Sequence, residues 1–214
     1  MIKCVALDIG ETLVCDDRYW NAWADWFQVP RHTLSALVGV VVSQGRDNAD
    51  AIRMLRPGAD VAAEYRAREA AGRGEILDET DLYGDVRPAL SALRNLGVRV
   101  IVAGNQTSRA GELLRALDLP VDAVAVSGDW GVAKPDSEFF RRVIELAEAR
   151  PDETLYVGDH PANDVFPAGD MGLLAGHLRR GPWGHLWADA PEVRAVADWS
   201  INGLRELIDV VTEA

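Results

Sequence analysis

The 214-residue chain has little of several things, and each scarcity removes a class of protein. Cysteine occurs only as Cys4 and Cys15, too few for a disulfide framework and without zinc-ligand spacing, so a reducing, cytoplasmic setting is expected. Positive charge is scarce: 22 Lys and Arg stand against 34 Asp and Glu, a net charge of -12. General binding to nucleic acid or an anionic membrane is therefore not expected. No basic segment with an apolar stretch and cleavage site opens the sequence, and no apolar run is long enough to cross a bilayer, so neither a leader nor a membrane anchor is expected. A Gly-x-Ser-x-Gly elbow, a Cys/His pair, a glycine-rich nucleotide loop and internal repeats are also missing. The four histidines, His32, His160, His177 and His185, show no metal-ligand spacing and are read as structural; His160 stands out only because it follows Asp159.

What is present is an ordinary globular composition, 48% hydrophobic and 26% charged, with length enough for one core and a small extra domain. Cys4-Val5-Ala6-Leu7 is an apolar, β-prone run that delivers Asp8 to a strand's carboxyl end, where open α/β sheets bind ligands. The spacing then turns helical. Trp20, Trp23, Ala24 and Phe27 form one stripe, followed by Leu34, Leu37, Val38 and Val41, a short helix through Ile52 to Leu55, and another marked by Val61, Ala62, Tyr65 and Arg68. The aromatic stripe is read as packing. Residues 15–84 are thus expected to form a helical bundle inserted into a core made of 1–14 and 85–214.

From Asp85, read as a helix cap, helices and strands alternate. Strands are expected at Val98–Ala103, Val121–Val126, Leu155–Val157 and Leu173–Leu178, with helices between them and a last helix over Asn202–Val211. This order predicts an α/β fold, a doubly wound parallel sheet. The segment Arg179–Pro191 reads as a loop because of Pro182 and Gly184.

Three strand ends carry polar groups: Asp8 with Thr12, then Asn105, then Asp159 with Asp164. On one rim they can converge, and carboxylates from different strands make a cage for magnesium, a hard cation that takes oxygen ligands. The competing readings are a turn residue for Asp8 and a helix cap and exposed acid for Asp159 and Asp164. Lys134, one of two lysines in the chain, precedes Pro135 and can neutralise both a carboxylate and a bound phosphate; its plain alternative is a solvated surface lysine.

In this order the chain resembles the haloacid dehalogenase-like hydrolases. Asp8 to Thr12, Gly104-Asn105, Lys134-Pro135 and Gly158-Asp159 with Asp164 match the family's four motifs, and the insert is similar to its small helical cap. The resemblance implies a Rossmann-like core, a site in the cleft beneath the cap, and Asp8 as the nucleophile that forms an aspartyl-phosphate. It also implies magnesium on Asp8, the Gly10 backbone carbonyl, Asp159 and Asp164. Lys134 would be a catalytic and phosphate-binding group beside Thr12, Gly104 and Asn105. A small phosphorylated metabolite is the expected substrate, with Arg18, Tyr19 and Trp20 as candidates for selecting it. Two positions depart from the family pattern. Gly10 stands where its phosphatases carry a second Asp, which leaves Glu11 as the replacement acid. Gly104 stands in place of a Ser or Thr, which leaves backbone N–H groups, Asn105, Thr107 or Ser108 to substitute. No cap lysine is present for Schiff-base chemistry, and the intact acidic motif fits a dehalogenase poorly. The alternative expectation is a member that has lost catalysis and acts as a metal- or phosphate-binding or regulatory protein.

Overall fold

The computed structural model describes all residues from Met1 to Ala214. In chain order the elements are β1 (Cys4–Leu7), α1 (Asp17–Phe27), α2 (Arg31–Ser43), α3 (Asp50–Leu55), α4 (Val61–Ala70), α5 (Val86–Asn95), β2 (Arg99–Gly104), α6 (Ser108–Ala116), β3 (Ala123–Val126), α7 (Ser127–Trp130), α8 (Ser137–Ala147), β4 (Thr154–Gly158), α9 (Phe166–Asp170), β5 (Leu174–Leu178), α10 (Gly181–Trp187), α11 (Pro191–Val196), β6 (Trp199–Ile201) and α12 (Leu207–Glu213). The six strands form one parallel sheet in the order β3-β2-β1-β4-β5-β6. No helix is long and apolar enough to cross a membrane.

Strand periodicity builds two cores. Alternate residues point to opposite faces, so Val5, Leu7, Val100, Val102, Leu155 and Val157 join one apolar cluster with Leu90 and Leu93 of α5 and Leu207 of α12. Cys4, Ala6, Ile101, Ala103 and Tyr156 join the other, with Phe139, Phe140 and Val143 of α8. Both faces are covered, which explains why the strands read as continuous apolar runs. Each such Val, Leu or Ile contributes roughly 1.5–3 kcal/mol by leaving water.

β1 is the pivot. The chain runs from β1 to β2 and β3 on one side and then to β4, β5 and β6 on the other, so the topological switch falls between β1 and β4. Leu7 pairs with Val102 and with Val157, and Asp8 N donates to Val157 O at 2.9 Å. The residue after β1 is therefore fixed at the carboxyl rim, level with the ends of β2 and β4.

The chain divides into two compact units, Met1–Cys15 with Leu77–Ala214, and Asp16–Ile76. The second holds α1 to α4. Its return point comes before residue 85: Leu77, Leu82 and Tyr83 pack on the first apolar cluster, Leu82 bridges Val14, and Tyr83 N donates to Leu13 O. Residues 77–84 carry too few apolar positions for that long-range pairing to show as a period.

Other differences have local causes. A sixth strand, β6, was not expected, because three residues around polar Ser200 give no readable alternation. The segment expected as a loop contains α10 and α11; Pro182 and Pro191 lie in their first turns, where proline is tolerated, rather than acting as breakers. β3 starts at Ala123, because the Asp122 carboxylate takes the Val100 N–H instead. Asp85 precedes α5 without capping it by a side-chain bond; its carboxylate binds Arg180 and the Leu204 N–H.

Candidate active site

Three of the strand ends converge. Lys134 Nζ lies 2.6 Å from Asp8 Oδ1 and 2.6 Å from Asp164 Oδ1, with the lysine side chain only 2% exposed. Asp159 completes a group of three carboxylates whose oxygens lie within 4.8 Å of one another, all buried. Lys134 is therefore no surface lysine, and neither Asp159 nor Asp164 is an exposed acid.

Each side chain is held by local structure. Asn105 clamps the Lys134 backbone from both directions: its Nδ2 donates to Lys134 O at 2.9 Å and its Oδ1 accepts from Lys134 N at 2.8 Å. Asn105 thus positions Lys134, and the second hydrogen of its Nδ2 is left over from that clamp. Above the Lys134 ammonium lies the Tyr156 ring, at 5.6 Å, and Tyr156 donates to Ala103 O at 2.7 Å. Asp164 sits in a wide helical turn, Pro161–Val165, where its Oδ2 also accepts from His160 N at 2.9 Å. A Cβ on Gly158 would lie 2.2 Å from that Oδ2, so the carboxylate occupies space that any other residue at 158 would fill. The Asp159 carbonyl is 3.1 Å from Nε2 of buried His177, whose Nδ1 has no partner. Burial lowers the His177 pKa, which favours the neutral ring.

Burial is also the largest influence on Asp8 and pushes its carboxyl up to about 6, with Lys134 pulling down and Asp164 adding to the rise. Burial opposes the Lys134 charge, but Asp164 and Asp8 outweigh it and raise its pKa well above the usual lysine value. Lys134 pairs with two of the three acids here. An all-oxygen donor set of three buried acids fits a hard divalent cation such as magnesium, which would add positive charge beside Lys134.

The departures from the family pattern have geometric correlates. A Cβ on Gly104 would lie 2.5 Å from Asp8 Oδ1, so the missing Ser or Thr side chain leaves the room that the Asp8 carboxylate takes. Thr107 Oγ1 caps α6 by accepting from Ala110 N at 3.0 Å, and the Ser108 hydroxyl bonds Asp129. Thr12 is fully buried, and its Oγ1 has no hydrogen-bond partner. Gly10 bridges Val14 in the turn after β1. Glu11 has φ 50°, and its Oε2 accepts a short hydrogen bond from the Tyr83 hydroxyl. Of the expected substrate-selecting residues, Arg18, Tyr19 and Trp20 are all half-buried and belong to the helical unit.

A tether missed by sequence reasoning fixes this loop. Arg180 Nη1 donates to Thr12 O at 2.7 Å, its Nη2 reaches Asp85 Oδ2 at 2.7 Å, and its guanidinium stacks 4.1 Å above the Tyr83 ring. Next to it Gly181 has φ 62°, and a Cβ there would meet Glu11 Cβ at 2.5 Å. The only sequence signal was the Arg179-Arg180-Gly181 cluster, which no periodicity links to residue 12.

A sequence model of haloacid dehalogenase-like hydrolases matches residues 2–172, and the chain belongs to that family. Among curated proteins it is 29% identical over 132 residues to the glyceraldehyde 3-phosphate phosphatase of Methanocaldococcus jannaschii, covering 60% of this chain and 56% of that protein. The chain spans about half the length of the first curated relatives it matches, for example 57% of the Methanopyrus kandleri protein of the same description. Its fold is similar to that of a haloacid dehalogenase-like hydrolase of Bacteroides fragilis, with TM-score 0.73, 21% identity, and coverage of 97% of this chain and 100% of that one.

Proposed function

We propose that the chain is a magnesium-dependent phosphatase of a small phosphorylated metabolite, with Asp8 as nucleophile. The observation that carries the reading is the Lys134 ammonium 2.6 Å from both Asp8 and Asp164, with Asp159 in the same buried group. The phosphatase description of the M. jannaschii relative supports it.

In the first step an Asp8 oxygen attacks phosphorus, the bond to the ester oxygen breaks, and that oxygen leaves with the bonding pair and takes a proton. In the second, water attacks the same phosphorus, loses a proton, and the Asp8–phosphorus bond breaks to release inorganic phosphate and the free carboxylate. Splitting the displacement in two is the gain from covalent catalysis. Lys134 holds Asp8 ionised and in place and faces the negative charge of the phosphoryl group. Asp8, Asp159, Asp164 and the Gly10 carbonyl would hold magnesium, which when bound neutralises charge on the phosphoryl oxygens. The Gly104 N–H, the Thr12 hydroxyl and the second Nδ2 hydrogen of Asn105 are the phosphate donors of this reading, and Asn105 also sets Lys134. Glu11, whose Oε2 accepts from the Tyr83 hydroxyl, is the candidate acid; where that bond keeps it from the site, the leaving oxygen is protonated from solvent. That forgoes a positioned general acid, a loss on the order of 10²- to 10⁴-fold.

The test is hydrolysis of p-nitrophenyl phosphate and a panel of sugar and acid phosphates, with and without magnesium, by wild type and Asp8→Asn. Magnesium-dependent turnover that vanishes in Asp8→Asn is expected. A second reading, a metal- or phosphate-binding protein without turnover, is favoured by one observation, the engagement of Glu11 by Tyr83. Magnesium binding with no turnover on any member of the panel would replace the first reading with the second.

A further inference from the structure

The helical unit contains a buried cation that the reading above does not use. Arg68 on α4 is 4% exposed, and its Nε and Nη1 have no hydrogen-bond partner. Its guanidinium lies 4.2 Å from the centroid of the Trp23 ring on α1. Trp23 is fully buried too, and its Nε1, although influenced by the Tyr19 hydroxyl, has no partner in hydrogen-bond geometry. The Tyr65 ring meets Trp23 edge-on at 5.0 Å, and the Tyr19 and Tyr65 hydroxyls make a short hydrogen bond to each other.

The open valences of Arg68 and Trp23 are all donors. Arginine and tryptophan have no side-chain acceptor, and in a hydroxyl pair one proton is shared while the other has to go elsewhere. Buried donors in folded proteins are almost always paired, and three unpaired ones on two touching side chains are an exception that asks for an acceptor-only guest. No carboxylate bonds Arg68 Nε or Nη1. Burial pulls the Arg68 pKa below its usual value, with Tyr65, Tyr19 and Glu75 acting in the opposite direction.

We propose that Arg68, Trp23 and the Tyr19–Tyr65 pair form a binding site for a compact organic carboxylate. A single buried cation matches a single negative charge. A phosphate, with up to two charges, would leave an excess among aromatic rings, where unpaired charge is costly. The flat carboxylate also suits a guanidinium stacked on one side against Trp23. The site lies wholly within Asp16–Ile76 and stands whether or not Asp8 turns over phosphate.

The test is a titration of the ¹⁵N-labelled full chain with glycolate and, separately, with inorganic phosphate. It follows the Arg68 Nε–H and Trp23 Nε1–H resonances, which report this cluster and not the Asp8 rim. Saturable shifts of both with glycolate, at lower concentration than with phosphate, are expected. In Arg68→Met the Trp23 response to glycolate should be lost. Arg68→Lys, which keeps the charge and is the milder change for folding, should weaken it about tenfold or more, the scale of a hydrogen bond to a charged group. No saturable shift with glycolate, a response to phosphate alone, or a Trp23 response unchanged in both variants would overturn the proposal.

Discussion

Two buried cations, one at the sheet rim and one in the helical unit, are treated in opposite ways. Lys134 has two carboxylates at 2.6 Å, a tyrosine ring above it, and a backbone clamped by Asn105. Arg68 has one aromatic face and unpaired donors. Burial opposes both charges, but only at Lys134 do the neighbours outweigh it. A compensated charge holds the fold together. An uncompensated one stores a demand for a ligand.

The sharpest way to break this comparison is to remove each cation in turn and measure urea unfolding without magnesium. Lys134→Met should cost about 3–5 kcal/mol, because it strands Asp8 and Asp164 as buried acids, which corresponds to roughly 6–20 °C in melting temperature for a chain of this size. If that cost were absent, the rim would not be the compensated site described here. Next in size, Gly158→Ala should push the Asp164 carboxylate aside. Magnesium affinity, read by calorimetry, should fall about 10- to 100-fold, the usual effect of disturbing the groups that orient a ligand. Tyr83→Phe removes one hydrogen bond to a carboxylate and should destabilise by about 1.5 kcal/mol. If kcat changes as well, Glu11 takes part in the chemistry; if only stability changes, Glu11 belongs to the loop's scaffold. The smallest effect is expected for Arg68→Met, within about 1 kcal/mol of wild type, since an unpaired buried cation is exchanged for an apolar side chain of similar length. A loss as large as that of Lys134→Met would erase the contrast.

How far the sequence shows these features depends on the range of the interactions. β1, β2, β4 and β5 were legible because buried parallel strands read as apolar runs, and Asp8, Lys134, Asp159 and Asp164 because each ends or precedes a regular element. β6 is too short to show a period, and α10 hides behind residues that usually break helices. Nothing near residue 105 announces that its amide also holds the backbone of residue 134. Arg68 gave no signal as anything but a helix position; its exceptional state exists only once Trp23 has been folded against it.

The Arg180 tether extends the point to where the protein begins and ends as a working unit. The recognisable family pattern stops at residue 172, and every acid and the lysine of the rim lie inside it. Yet the loop that follows Asp8 is tied down by a guanidinium beyond that limit, which binds Thr12 O and Asp85 together. A chain cut after Gly172 would keep all its reactive groups and lose the strut that stiffens them. The ancestry of this fold and the rigidity of its site are thus written in different parts of the same chain, and a swap of the last forty-odd residues between relatives is a change to the active site.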